Sequence, residues 1–131
     1  MKKIKSLFTL FVATLLLSGC TYNYIVPEDL PPDPTDPDAP EISFSTEILP
    51  IFNGGNNCTS CHNTGGVSPD LTTNNAYTSI NNSKYINSGT PEESLIYTYP
   101  NPATNTHTQK KYTEKEAALV LGWIVQGAQN N

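Results

Sequence analysis

Thr113-Glu114-Lys115-Glu116-Ala117-Ala118-Leu119-Val120-Leu121-Gly122-Trp123-Ile124-Val125-Gln126-Gly127-Ala128 opens on a threonine followed three residues later by a glutamate. In such a capping box the hydroxyl and the carboxylate each satisfy a backbone N–H that the first helical turn would leave unpaired. Behind it, Ala117, Val120, Leu121, Ile124 and Ala128 recur at helical spacing, so the stretch predicts an amphipathic helix with one buried face. No alternating strand pattern of comparable strength occurs elsewhere, and no internal repeat. The fold class expected is all-α.

Working outward, shorter helices separated by long polar connections rich in glycine and asparagine are expected. Ser45 can cap a first helix carrying Ile48, Leu49, Ile51 and Phe52; Pro50 limits its regularity and Asn53-Gly54-Gly55 stops it. A helix around Asn75 to Ile80 would bury Tyr77 and Ile80. Thr90-Pro91-Glu92-Glu93 combines an N-cap threonine, proline at the first helical position and glutamate three after the cap, with Ser94 to Tyr97 following as one or two turns. These elements define a folded unit over residues 41–131. A unit of that size gains from a staple or a cofactor, because little of its surface can be buried in a core of its own.

The remainder of the 131 residues reads as export and tether. Lys2, Lys3 and Lys5 precede an uncharged apolar run from Leu7 to Leu17, too short and too early for an ordinary spanning helix, and small residues lead to Cys20. Leu17-Ser18-Gly19-Cys20 resembles the bacterial lipobox, which implies a signal over residues 1–19, cleavage before Cys20 and acylation of its sulfur; a plain secretory signal is the alternative. Residues 20–40 contain Pro27, Pro31, Pro32, Pro34, Pro37 and Pro40 interleaved with carboxylates, a composition that favours extended polyproline geometry and a semi-rigid spacer. Cysteine arithmetic agrees, since a lipid on Cys20 leaves Cys58 and Cys61 as a pair. The net charge is −5, and the seven basic residues are all lysines. Without a basic patch, nucleic acid is not an expected partner.

Cys58-Thr59-Ser60-Cys61-His62 is the segment that carries chemistry. Covalent attachment of a c-type haem needs two thiols spaced for the two vinyl groups on one porphyrin edge, with a histidine directly after the second to reach the iron. Attachment takes place outside the cytoplasm, in agreement with the leader. Three rivals are weighed. Zinc could use Cys58, Cys61, His62 and His107, although adjacent Cys61 and His62 reach one tetrahedral ion awkwardly. A thioredoxin-like redox pair would need a strand–helix context, and a structural disulfide has no need of His62.

From about Phe44 to Ala128 the chain resembles the small cytochrome c-like domains of exported bacterial proteins, including those called planctomycete-type cytochrome c. The resemblance is carried by Ile48-Leu49-Pro50-Ile51-Phe52, by Cys58 to His62, by Gly89 to Tyr97 and by Trp123-Ile124-Val125-Gln126-Gly127-Ala128. It implies one covalent haem c and first and last helices packed together near a haem edge, with Gly127 serving close helix contact or ending the helix. Many relatives place methionine on the second face of the iron. Here the one methionine is Met1, in the leader. His107, in the loop where the resemblance places the distal ligand, is the expected axial partner of His62; Lys110, Lys111, Tyr112 or an open five-coordinate iron are alternatives. Val67-Ser68-Pro69-Asp70-Leu71 resembles the cytochrome c stretch whose proline carbonyl holds the proximal histidine, which makes Pro69 the candidate acceptor and Leu71 a neighbour of the macrocycle. The resemblance implies a non-catalytic monohaem electron carrier, lipid-anchored to a bacterial membrane in the cell envelope, exchanging electrons with redox proteins. A haem sensor or small peroxidase with an open or labile distal site is the alternative.

Overall fold

The structure, a computed structural model, describes residues 30–33, 35, 36, 38–55 and 58–131. The expected signal, Cys20 and most of the tether fall outside them. The described residues are helical with no strands, so the all-α expectation holds at that level. None of their helices is long and apolar enough to cross a membrane.

A π-helical turn, Phe44–Ile48, runs directly into α1, Leu49–Asn53. Its cap is Ser43, not Ser45 as the sequence suggested: the Ser43 hydroxyl accepts from Thr46 N–H while the Glu47 carboxylate accepts from Ser43 N–H at 2.7 Å. The reason is non-local. Ser45 N–H is taken by the Asn131 carbonyl at 2.9 Å and Phe44 N–H by the Asn131 side chain at 2.7 Å, so the chain end fixes where this helix begins. Pro50 sits in the first turn of α1, where the ladder passes from the π-helical turn to the α-helix and proline can donate no bond. Gly54 closes α1, and a Cβ there would lie 2.6 Å from the Pro50 carbonyl oxygen.

α2 is Ala76–Ile80; it buries Ala76 and Ile80, with Tyr77 partly covered. At Thr90 the expected cap takes another form. A 3-10 turn spans Pro91–Glu93, but the Thr90 hydroxyl donates to the Glu93 carboxylate, and the Asn87 side chain accepts from Gly89 and Thr90 N–H. α3, Leu95–Thr98, follows after the fully buried Ser94, whose hydroxyl accepts from Asn87 N–H at 2.9 Å.

α4, Glu114–Val125, carries the expected capping box, with both Thr113 and Glu116 engaged. It ends in a Schellman motif: Ala128 N–H bonds to Trp123 O at 2.8 Å and Gly127 N–H to Ile124 O at 3.0 Å. Gly127 therefore ends the helix, at φ +96°, and does not serve close helix contact. The glycine buried on the helix itself is Gly122.

The core joins the two ends of the domain. Phe44 meets Trp123 at 5.4 Å between centroids and Tyr77 edge-on at 5.2 Å, so the π-turn, α2 and α4 share one aromatic cluster. Ile48, Phe52, Ile80 and Val120 are fully enclosed around it. Burial of each such side chain stabilises the fold by about 1.5–3 kcal/mol. This packing leaves the segments between α1 and α2, and between α3 and α4, to form the opposite side of the domain.

Candidate functional site

Those two connecting segments enclose a cavity of about 520 Å³, within the ~300–1,000 Å³ range of small-molecule and cofactor sites. Cys58, Cys61, His62, Pro69, Leu71 and His107 all border it. These six residues, expected from the sequence at the haem, thus lie on one cavity, as do the alternative ligands Lys110 and Tyr112 but not Lys111. Tyr85, Ile96, Tyr99 and Tyr112 add to its apolar lining; of these the sequence pointed to Tyr112, as an alternative ligand, and nothing in the local sequence of Tyr85 or Tyr99 marks them as site residues.

Cys58–Ser60 forms a 3-10 turn, and Cys61 and His62 N–H both bond back to Cys58 O, at 3.1 and 2.9 Å. The chain then doubles back: Val67 N–H reaches Cys61 O and Leu71 N–H reaches His62 O, each at 2.9 Å. Gly66 permits this return, because a Cβ there would strike the Cys61 carbonyl. Asp70 locks it. Its carboxylate accepts from the Thr64 hydroxyl at 2.7 Å, from Thr72 hydroxyl and N–H at 2.6 and 3.0 Å, and from Asn75 at 2.9 Å. These bonds hold the Asp70 carboxyl well below the usual carboxylate range, Thr72 first among them. The Asp-x-Thr spacing is a local turn signal that could have been read from the sequence.

The loop delivers two acceptors to His62. Its Nδ1 lies 3.0 Å from Val67 O and 3.2 Å from Pro69 O, the second being the acceptor expected from the sequence. Carbonyls only accept, so Nδ1 carries the proton and Nε2 is left as the basic, metal-binding nitrogen.

His107 stands across the cavity, its ring centroid 6.2 Å from that of His62 and its plane inclined by 28°. A metal ion binds an imidazole nitrogen at ~2.0–2.1 Å, and with about 1.1 Å more to the ring centre, two imidazoles on opposite faces of one ion have centroids about 6.3 Å apart. The spacing fits one shared ion. His107 Nδ1 is buried without a hydrogen-bond partner. The alternative ligands are occupied elsewhere. Tyr112, its ionisation pushed well up by burial, donates its hydroxyl to Ile96 O at 2.9 Å. Lys111 is bonded to Thr104 O, and Lys110 reaches Gly55 O at 3.3 Å.

Cys58 is half-buried and Cys61 exposed, and they are not joined in a disulfide. Burial pushes the Cys58 thiol up, opposite to the lowered value of a thioredoxin-type nucleophile. No group of three or more His, Cys, Asp or Glu side chains that could hold a metal occurs among the described residues, so a four-ligand zinc site lacks the clustering it needs. Two facing imidazoles suit an ion that brings its own equatorial ligands. No family model matches the chain, and comparison with curated proteins and with solved structures finds no significant match.

Proposed function

We propose that this chain is an envelope-anchored monohaem c-type cytochrome that carries single electrons between redox partners. The observation that carries the reading is the 6.2 Å separation of His62 and His107 across a cavity that Cys58 and Cys61 also border. Cys58 and Cys61 would hold the haem c covalently through thioethers, with His62 and His107 as axial ligands to its iron. When bound, the haem would supply a one-electron couple.

The protein residues have definable tasks. His62 is fixed in one tautomer by the Val67 and Pro69 carbonyls, so it needs no rearrangement to bind. Leu71, Ile96 and Tyr112 are buried and give the cavity part of its apolar wall. Lipid on Cys20 and the proline-rich spacer would hold the domain near a membrane; Cys20→Ser is expected to move the protein from the membrane fraction to the soluble one.

The test is expression of the full chain in a host that attaches haem c. The expected product keeps its porphyrin after denaturation and has a low-spin ferric spectrum. His107→Met is expected to raise the reduction potential, since Met/His iron lies higher than bis-imidazole iron. A folded product without porphyrin would overturn the reading. A His107→Met potential equal to that of the parent would remove His107 from it.

A further inference from the structure

The two imidazoles that share the cavity are supported unequally. His62 has two carbonyl acceptors on Nδ1, and its backbone is bonded at both N–H and carbonyl. His107 Nδ1 is buried with no hydrogen-bond partner. A buried N–H without a partner is rare, and a ligating histidine nearly always donates its second N–H to a fixed group, which also makes it the stronger donor to the metal. Its backbone setting points the same way. Among the described residues, no backbone–backbone hydrogen bond involves residues 105–111. The segment is held by side chains and at its ends: the Thr106 hydroxyl donates to Tyr99 O at 2.7 Å, Tyr112 N–H to Pro100 O at 2.9 Å, and the Lys110 and Lys111 ammonium groups to Gly55 O and Thr104 O. Between those ties Thr108, Gln109 and Lys110 are exposed.

We propose that His107 is a releasable ligand, and that the cavity on its side admits a small uncharged diatomic ligand, carbon monoxide or nitric oxide, to the ferrous iron while His62 stays bound. The proposal rests on the haem reading above. Release breaks one iron–nitrogen bond and binding of the diatomic replaces it, with no net transfer of electrons or protons. Swinging out also takes the unpartnered Nδ1 of His107 to water, where it finds a hydrogen-bond partner. The apolar lining from Leu71, Tyr85, Ile96 and Tyr112 suits an uncharged ligand, with Lys84 and Lys110 also on the cavity border. Tyr99, half-exposed, lies edge-on to the His107 ring at 5.8 Å.

The experiment mixes the ferrous, haem-loaded full chain with carbon monoxide and follows the rate against gas concentration. The expected rate levels off at high concentration, where departure of His107 limits it. In His107→Ala the rate should stay proportional to concentration and the apparent affinity should rise about tenfold or more, because the open fraction no longer limits binding. A parent protein with covalent haem and a low-spin ferric spectrum that stays inert to carbon monoxide overturns this inference and leaves the bis-histidine reading standing. A rate in the parent that never levels off and equals that of the variant overturns it too, by showing that His107 does not hold the iron. The parent measurement decides the matter even if the variant fails to fold.

Discussion

The segments 58–72 and 101–111 each present one histidine to the same cavity, yet they are built in opposite ways. The first is a closed loop. It has backbone bonds from Cys61, His62, Val67 and Leu71, a glycine at its tightest approach, and a carboxylate joining its two strands. The second places His107 by its ends, through Thr106 and Tyr112, with no backbone bond between. The difference teaches that a shared site does not imply shared rigidity. One wall fixes a ligand and its tautomer before anything binds; the other brings a ligand within reach.

The comparison is broken most directly at the ligands. His62→Ala is expected to abolish a normal c-type haem protein, since the residue follows the attachment pair and holds the better supported ligand position. His107→Ala should leave covalent attachment intact and convert the ferric iron from low to high spin. Absorption spectra of both variants check this; equal losses would show that the walls are equivalent. Gly66→Ala is the next largest. A methyl against the Cys61 carbonyl must push the returning strand away, and overpacking of this kind costs about 1–3 kcal/mol. Chemical denaturation measures that, and the His62 Nδ1 proton should exchange faster with solvent. No counterpart exists in 105–111, where substitution of exposed Gln109 by Ala should leave stability unchanged.

How much of this was legible follows the range of the interactions. The Thr113–Glu116 capping box and the helix behind it were readable because every bond lies within four residues. The Cys58–His62 turn was readable for the same reason. Ser43 replaced Ser45 as a cap because Asn131, far along the chain, takes the backbone groups near Ser45, and no local pattern announces that. Gly127 was readable as a helix end from position alone; that Gly122 is the glycine buried on the helix needed the packing. His107 could be nominated through the resemblance and the lack of another methionine or histidine. Its unpartnered nitrogen could not, since an absent acceptor leaves no residue to read.

Amide hydrogen exchange sharpens the same contrast without a mutation. Amides bonded within the first loop, those of His62, Val67 and Leu71, should be protected to a level set by opening of the loop. Amides of Thr106 to Lys111 should exchange close to the free-peptide rate. Haem loading should add protection to the second segment much more than to the first, because only the second has freedom left to lose. Equal protection of the two would refute the account given of them.

The smallest expected effect concerns acid. Asp70 has its pKa lowered from 3.8 in the folded protein, by the hydroxyl and N–H groups of Thr72, by Thr64 and by Asn75. Folding therefore favours the ionised carboxylate. The contribution is fully present above 3.8 and is lost as pH falls through the lower folded value, because the unfolded chain takes up the proton first. Asp70→Asn retains the shape but turns an acceptor oxygen into an N–H₂ that faces other donors, so its thermal midpoint should lie below that of the parent at neutral pH. The gap should narrow steadily below 3.8, as the unfolded parent takes up the proton, and close once pH lies below the lower folded value. If it stays constant down to the acid limit, the carboxylate's charge is irrelevant and only the shape of residue 70 holds the first loop against His62.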